Sequence, residues 1–107
     1  MTTIGQYQTD IGNWAKRNFP NDQRHDVALG LVEEVGELCR ATLKQAQNVR
    51  GSYSQWEDEI KHELGDVFIK LCHVASVYGY DLDTLVRLRW DIVQLRESGS
   101  KEERNRV

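Results

Sequence analysis

Proline is almost missing from this chain. Pro20 is the only one, so long stretches are free to run as uninterrupted helix. The two cysteines, Cys39 and Cys72, are too few for a disulfide scaffold. Neither belongs to a Cys-x-x-Cys pair, so a structural zinc site is not indicated. Both fall in helical apolar patterns and are expected to be buried thiols in a reducing cytoplasm. No apolar run approaches the roughly 20 residues needed to span a bilayer, which excludes a membrane helix. Met1 to Gly5 have neither the basic nor the apolar region of a signal peptide, and a cytoplasmic location is the expectation. An excess of positive charge is also lacking. Fourteen Lys and Arg face seventeen Asp and Glu, for a formal net charge of −3, which argues against a general nucleic-acid binder. There is no Gly-rich phosphate loop and no supported Ser-His-Asp set.

What is present is helical periodicity. A chain of 107 residues fits one small domain with a limited core. Helices that bury one side at this size find further burial in a partner subunit. The spacing of Ile4, Tyr7, Ile11 and Trp14 predicts a first helix over 3–17, which the Asn18 to Asp22 segment breaks around Pro20. A second helix is expected over 26–46, with Ala28, Leu31, Val32, Val35, Leu38, Cys39, Thr42 and Leu43 on its apolar face. Residues 47–53 read as a loop. Ser54-Gln55-Trp56-Glu57 has the form of a capping box that opens the third helix, and Gly79 is a natural stop. Ile60, Leu64, Val67, Leu71, Val74, Ala75 and Tyr78 supply that helix's core face. Asp81 or Asp83 would cap a fourth helix carrying Leu82, Leu85, Val86, Leu88, Ile92, Val93 and Leu95. The composition turns to Ser, Gly and charge from Glu97. The expected organisation is therefore one all-α domain over 1–97, a bundle of four to five helices, with a flexible polar tail over 98–107.

Chemistry enters with two carboxylate pairs, Glu34 with Glu37 and Glu63 with Asp66. Residues three apart share a helix face, so each pair presents its oxygens side by side. Each pair also borders its helix's apolar face rather than opposing it. If the two helices pack with those faces together, four acidic groups converge. Such crowding is costly unless cations occupy the site. Hard, oxygen-only ligation suits Mg²⁺, with Mn²⁺ as a substitute, rather than zinc. Small Gly30 and Ala41 flank the first pair and leave access. Lys44, seven residues after Glu37, and Lys70, four after Asp66, lie on the same stripes and suit the outer charges of a polyphosphate. Trp14 and Phe19 are the best candidates for stacking on a base. Glu59-Ile60-Lys61-His62 matches one Glu-x-x-His unit of di-iron bundles, but that site needs two such units, and neither His25 nor His73 supplies a second.

Glu33-Glu34-Val35-Gly36-Glu37-Leu38, followed by Glu63-Leu64-Gly65-Asp66-Val67, resembles the E-E-x-x-E and E-x-x-D motifs of the MazG-like nucleotide pyrophosphohydrolases, of the all-α NTP pyrophosphatase superfamily. The resemblance runs from the first helix to about Arg96. It implies an all-α bundle completed by oligomerisation, as a homodimer or homotetramer. It also implies Mg²⁺-dependent cleavage of a (deoxy)nucleoside triphosphate to the monophosphate and pyrophosphate, in nucleotide-pool housecleaning. Carried over, Glu34, Glu37, Glu63 and Asp66 would be metal ligands, Glu33 would orient water or a second metal, and Lys44 would contact phosphate. Arg89 and Arg96 fit the ends of a late K-x-x-x-N-x-x-R substrate motif, with Val93 where Asn is usual.

The expected mechanism is metal-assisted attack of water on a phosphorus of the triphosphate, with Glu33 or Glu37 accepting the proton. Two other readings of the same residues stand beside it. One is a non-catalytic helical module that binds nucleotide or oligomerises; the other is a different carboxylate-bundle metalloenzyme.

Overall fold

The computed structural model describes residues 1–48 and 51–96. They form α1 (Ile4–Asn18), α2 (Arg24–Gln47), α3 (Tyr53–Tyr78) and α4 (Leu82–Val93), with no strand among the described residues. The tail expected over 98–107 lies outside them.

The helix boundaries follow from local hydrogen-bond chemistry. At α1 the Thr3 hydroxyl accepts from the Gln6 amide at 3.1 Å, and the Gln6 side chain accepts from the Thr3 amide at 2.7 Å. This satisfies two amides that the helix start leaves unpaired. The Phe19 N–H closes the helix on the Ala15 carbonyl at 2.7 Å just before Pro20. The reciprocal box of α3 is Ser52 with Gln55, not Ser54 with Glu57. Its bonds are 3.2 and 2.8 Å long, and the helix begins at Tyr53. Gly79 ends α3 in the left-handed region at φ 73°, where a Cβ would be strained. Asp81 precedes α4 and accepts from the Thr84 hydroxyl at 2.7 Å.

α3 is the central element: α2 packs along it, α1 packs on it, and α4 returns to α1. The short connection makes α2 and α3 antiparallel neighbours. On α2, Val27, Leu31, Glu34, Leu38, Ala41 and Gln45 are buried or half-buried; on α3 the same holds for Trp56, Ile60, Glu63, Val67, Lys70, Val74 and Val77. Both series alternate steps of three and four residues, the repeat of a helix–helix seam. Glu34 and Glu63 occupy central positions of these seams.

A second face of α3 turns to α1 and α4. Cys72, Ala75 and Leu82 form a buried cluster, with Ile4, Ile11 and Phe68 packed against it. Tyr7 meets Phe68 edge-on at 5.9 Å. Buried Gly12 lets α1 approach closely, since a Cβ there would fall on the Ser76 hydroxyl and lie 3.1 Å from Ser76 Cβ. Gln8 ties the two ends together: it donates to the Tyr80 carbonyl and accepts from the Leu82 amide at 2.8 Å.

Burial corrects several expectations. Cys72 is buried, but Cys39 is exposed. Val32, Val35 and Leu43 of α2, and Leu64 of α3, are also largely exposed. The helices rotate so that the carboxylate-bearing stripe, not the centre of the apolar one, faces the neighbour. The aromatic side chains of Trp14, Phe19 and Trp90 are about half exposed.

Candidate metal and substrate site

Glu34, Glu37 and Glu63 bring one carboxylate oxygen each to within 4.8 Å of one another. Two antiparallel helices achieve this because Glu34 and Glu37 share a face of α2 and Glu63 sits opposite on α3. Glu63 is only 6% exposed. One oxygen of Glu34 and one of Glu63 are buried without any hydrogen-bond partner. A buried carboxylate oxygen left unpaired is costly, more so when the group is charged.

The electrostatics show the same strain. The Glu63 carboxyl is pushed up to about 7, first by burial, then by the charge of Glu37, a hydrogen bond with Glu59, and the charges of Asp66 and Glu34. Every one of these effects favours the protonated acid, and none comes from a cation. A divalent ion among these oxygens would reverse that preference. The donor set fits a hard cation: all oxygen, anionic, and drawn from two rigid helices.

The remaining sequence candidates fall into two groups. Asp66 stands one turn beyond Glu63 and acts on it electrostatically, but is exposed and outside the three-oxygen group. Glu33 is exposed beside Glu34. Lys70 is half-buried, and its stem covers Gly30: a Cβ on that glycine would lie 3.2 Å from Lys70 Cε and Nζ. Gly30 therefore leaves room for a lysine rather than open access. Lys44 is half-buried near the end of α2.

The second group lies elsewhere. Trp14 and Phe19 pair edge-on at 5.6 Å at the end of α1, and Phe19 shares a small cavity with Asp22 and His73. His73 is ten residues beyond Glu63 on α3, about 15 Å along the axis. Trp14 and Phe19 thus sit at the α1 end rather than with the carboxylates. Arg89 lies in the second half of α4 and Arg96 beyond its end, and neither lines the recess beside Glu37 and Glu63.

Sequence reasoning did not place Arg40, Trp56 or Glu59 beside the cluster. Glu37 and Glu63 share a recess of about 450 Å³ with Arg40, Ala41, Trp56 and Glu59. Helical spacing alone could have found Glu59, four residues before Glu63, and Arg40, three after Glu37.

No curated protein and no solved structure matches the chain. The family model of the MazG nucleotide pyrophosphohydrolase domain matches residues 23–91. That stretch runs from the residue capping α2 to the last turn of α4 and contains both carboxylate pairs. With well over half of its length matched and an all-helical fold, the chain belongs to the MazG nucleotide pyrophosphohydrolase domain family.

Proposed function

We propose that this protein is a Mg²⁺-dependent nucleoside triphosphate pyrophosphohydrolase that releases a (d)NMP and pyrophosphate, acting in nucleotide-pool housecleaning in the cytoplasm. The observation that carries the reading is the pair of buried, unpartnered oxygens on Glu34 and Glu63 within a three-carboxylate group. Helices do not hold such oxygens together for stability, so a ligand of opposite charge is the physical reason for them. Glu34, Glu37 and Glu63 would hold the cation, with Asp66 completing the set from the next turn of α3. Mg²⁺, or Mn²⁺ in its place, would supply Lewis-acid polarisation of phosphoryl oxygens and an acidified water.

The chain's own residues then bind and orient. Lys44 and Lys70 extend the carboxylate stripes and would meet the outer phosphate charges. A water oxygen bonds to the α-phosphorus, the α–β bridging P–O bond breaks, and pyrophosphate leaves with the electron pair. The water's proton passes to Glu33 or Glu37, carboxylates at the edge of the group. Exposed Val32, Val35 and Leu64 border the carboxylates. We read them as covered by a second copy in a homodimer or homotetramer, which would also bring Trp14, Phe19, Arg89 and Arg96 to substrate.

A panel of NTPs and dNTPs with Mg²⁺, scored for pyrophosphate against orthophosphate, tests the reading. Pyrophosphate and monophosphate in equal amounts are expected. Orthophosphate as the sole product, or no turnover with either cation, would overturn it.

A further inference from the structure

The recess beside the carboxylates has walls of uneven character. Glu37, Glu59, Glu63 and Arg40 are ionisable, and only Ala41 and Trp56 are not. A nucleobase is better matched by apolar and aromatic walls; a charged lining next to a cation site suits the polyphosphate end of a nucleotide. Arg40 follows Glu37 by one turn of α2 and is the single cationic residue of this lining. Among the described residues it forms no ion pair with the carboxylates that share the recess. Arg40 therefore does not act as a local neutraliser of the cluster. Meanwhile the buried Glu63 side chain, with one oxygen unpartnered, lines the same recess and marks where a ligand would enter.

Direction matters as well. Arg40 and Ala41 lie beyond Glu37 toward the end of α2, while Trp56 and Glu59 lie before Glu63 at the start of α3. The recess thus extends from the carboxylates toward the α2–α3 connection, and Lys44 is one further turn along α2 in the same direction. The α1 end, with its aromatic pair Trp14 and Phe19, lies the other way. A nucleotide whose phosphates span the carboxylates has two ends to place; Lys70 lies against Gly30 on the far side, and the end that carries two cationic residues of α2, Arg40 and Lys44, is the Arg40 end. A guanidinium presents a planar fork that engages two phosphate oxygens at once, which an ammonium does not.

We propose that Arg40 binds the β and γ phosphates of the substrate in this recess, and so holds the pyrophosphate group as it leaves. The proposal rests on the pyrophosphohydrolase reading, and its test does not depend on turnover. Titration calorimetry with Mg²⁺ and inorganic pyrophosphate compares wild type, Arg40→Lys and Arg40→Gln, with thermal melts confirming that each variant folds. Arg40→Gln should weaken pyrophosphate binding about 10-fold or more, Arg40→Lys less, with nucleoside monophosphate binding unchanged within about twofold. Mg²⁺ alone should bind the Gln variant as well as wild type.

Pyrophosphate binding unaltered in Arg40→Gln would overturn the assignment. So would an equal loss of monophosphate and pyrophosphate binding, or a wild type that fails to bind Mg²⁺ with pyrophosphate. If wild type binds pyrophosphate through Arg40 but turns over no triphosphate, the hydrolase reading fails and the phosphate site stands. If wild type turns over triphosphate and Arg40→Gln is unaffected in both assays, the reverse holds.

Discussion

α3 meets its neighbours along two faces built from opposite materials. Toward α2 it presents a seam with Glu63 at its centre, facing Glu34 and Glu37. Toward α1 and α4 it presents Phe68, Cys72 and Ala75, closed by Ile4, Ile11 and Leu82. Apart from the Cys72 thiol, each half of the helix buries one ionisable group, Glu63 at 6% and His73 at 4% exposure. Burial drives both toward their neutral forms, but their surroundings differ. His73 has Lys70 adding to the burial effect and Asp22 opposing it. Glu63 has four acidic neighbours, and all of them push the same way. One face packs apolar side chains to hold the fold; the other crowds carboxylates together with buried oxygens that have no partner.

The sharpest way to break that division is to neutralise Glu63 without changing its shape. Glu63→Gln should lower Mg²⁺-dependent turnover by at least about 100-fold, as expected for loss of a ligand at the metal. The same variant should raise the melting temperature of the metal-free protein, because it removes a charge from a crowded, buried position. A variant that lost stability while keeping turnover would place Glu63 on the structural side and dissolve the contrast.

The opposite face calls for the opposite outcome. Leu82→Ala removes a buried side chain from the Cys72–Ala75 cluster and should cost about 2–4 kcal/mol of stability. Denaturant unfolding gives the loss, and turnover per folded molecule should stay within about twofold of wild type. A comparable loss of specific activity would mean that the two faces of α3 are coupled rather than separate.

Much of this division was legible in the sequence, and its limits have physical causes. Gly79 stops α3 where a left-handed residue is required, and Pro20 follows the end of α1. Both signals act locally and need no tertiary context. The start of α3 was misplaced because Ser52-Tyr53-Ser54-Gln55 and Ser54-Gln55-Trp56-Glu57 both have the capping-box form, and the chain uses the earlier one. Rotation of α2 was harder still. Its apolar residues spread so widely round the helix that periodicity allowed Val32 and Val35 to point inward, whereas the packed seam passes through Leu31, Glu34 and Leu38. Arg40 escaped notice, and Glu59 was read only as half of a Glu-x-x-His unit, because single charges do not stand out in a chain where 29% of residues are charged. Only the approach of α2 to α3 gives them a shared recess. The aromatic candidates lie apart from the carboxylates for a related reason: spacing within a helix says nothing about which end of the bundle that helix reaches.

The smallest effect is also the most discriminating, because the two faces respond to pH with opposite signs. Glu63 has a folded value near 7 against an ordinary 4.5, so the native state holds its proton more tightly than the unfolded chain does. Its contribution is fully present below pH 4.5 and is lost as pH rises toward 7. His73 is held below its ordinary 6.5, chiefly by burial. The native state therefore resists its protonation, and this contribution is present above pH 6.5 and is lost as pH falls through the folded value. In the metal-free protein the two slopes oppose each other between about pH 4.5 and 6.5 and partly cancel. Single variants should uncover them. In chelator, Glu63→Gln should melt higher as pH rises through this window, whereas His73→Asn should melt lower. Mg²⁺ should remove the Glu63 slope, since the ion requires the carboxylate that burial disfavours. If Glu63→Gln left the pH profile of the melting temperature unchanged, the crowding at the α2–α3 seam would carry no energetic weight, and the contrast between the two faces would reduce to one of composition.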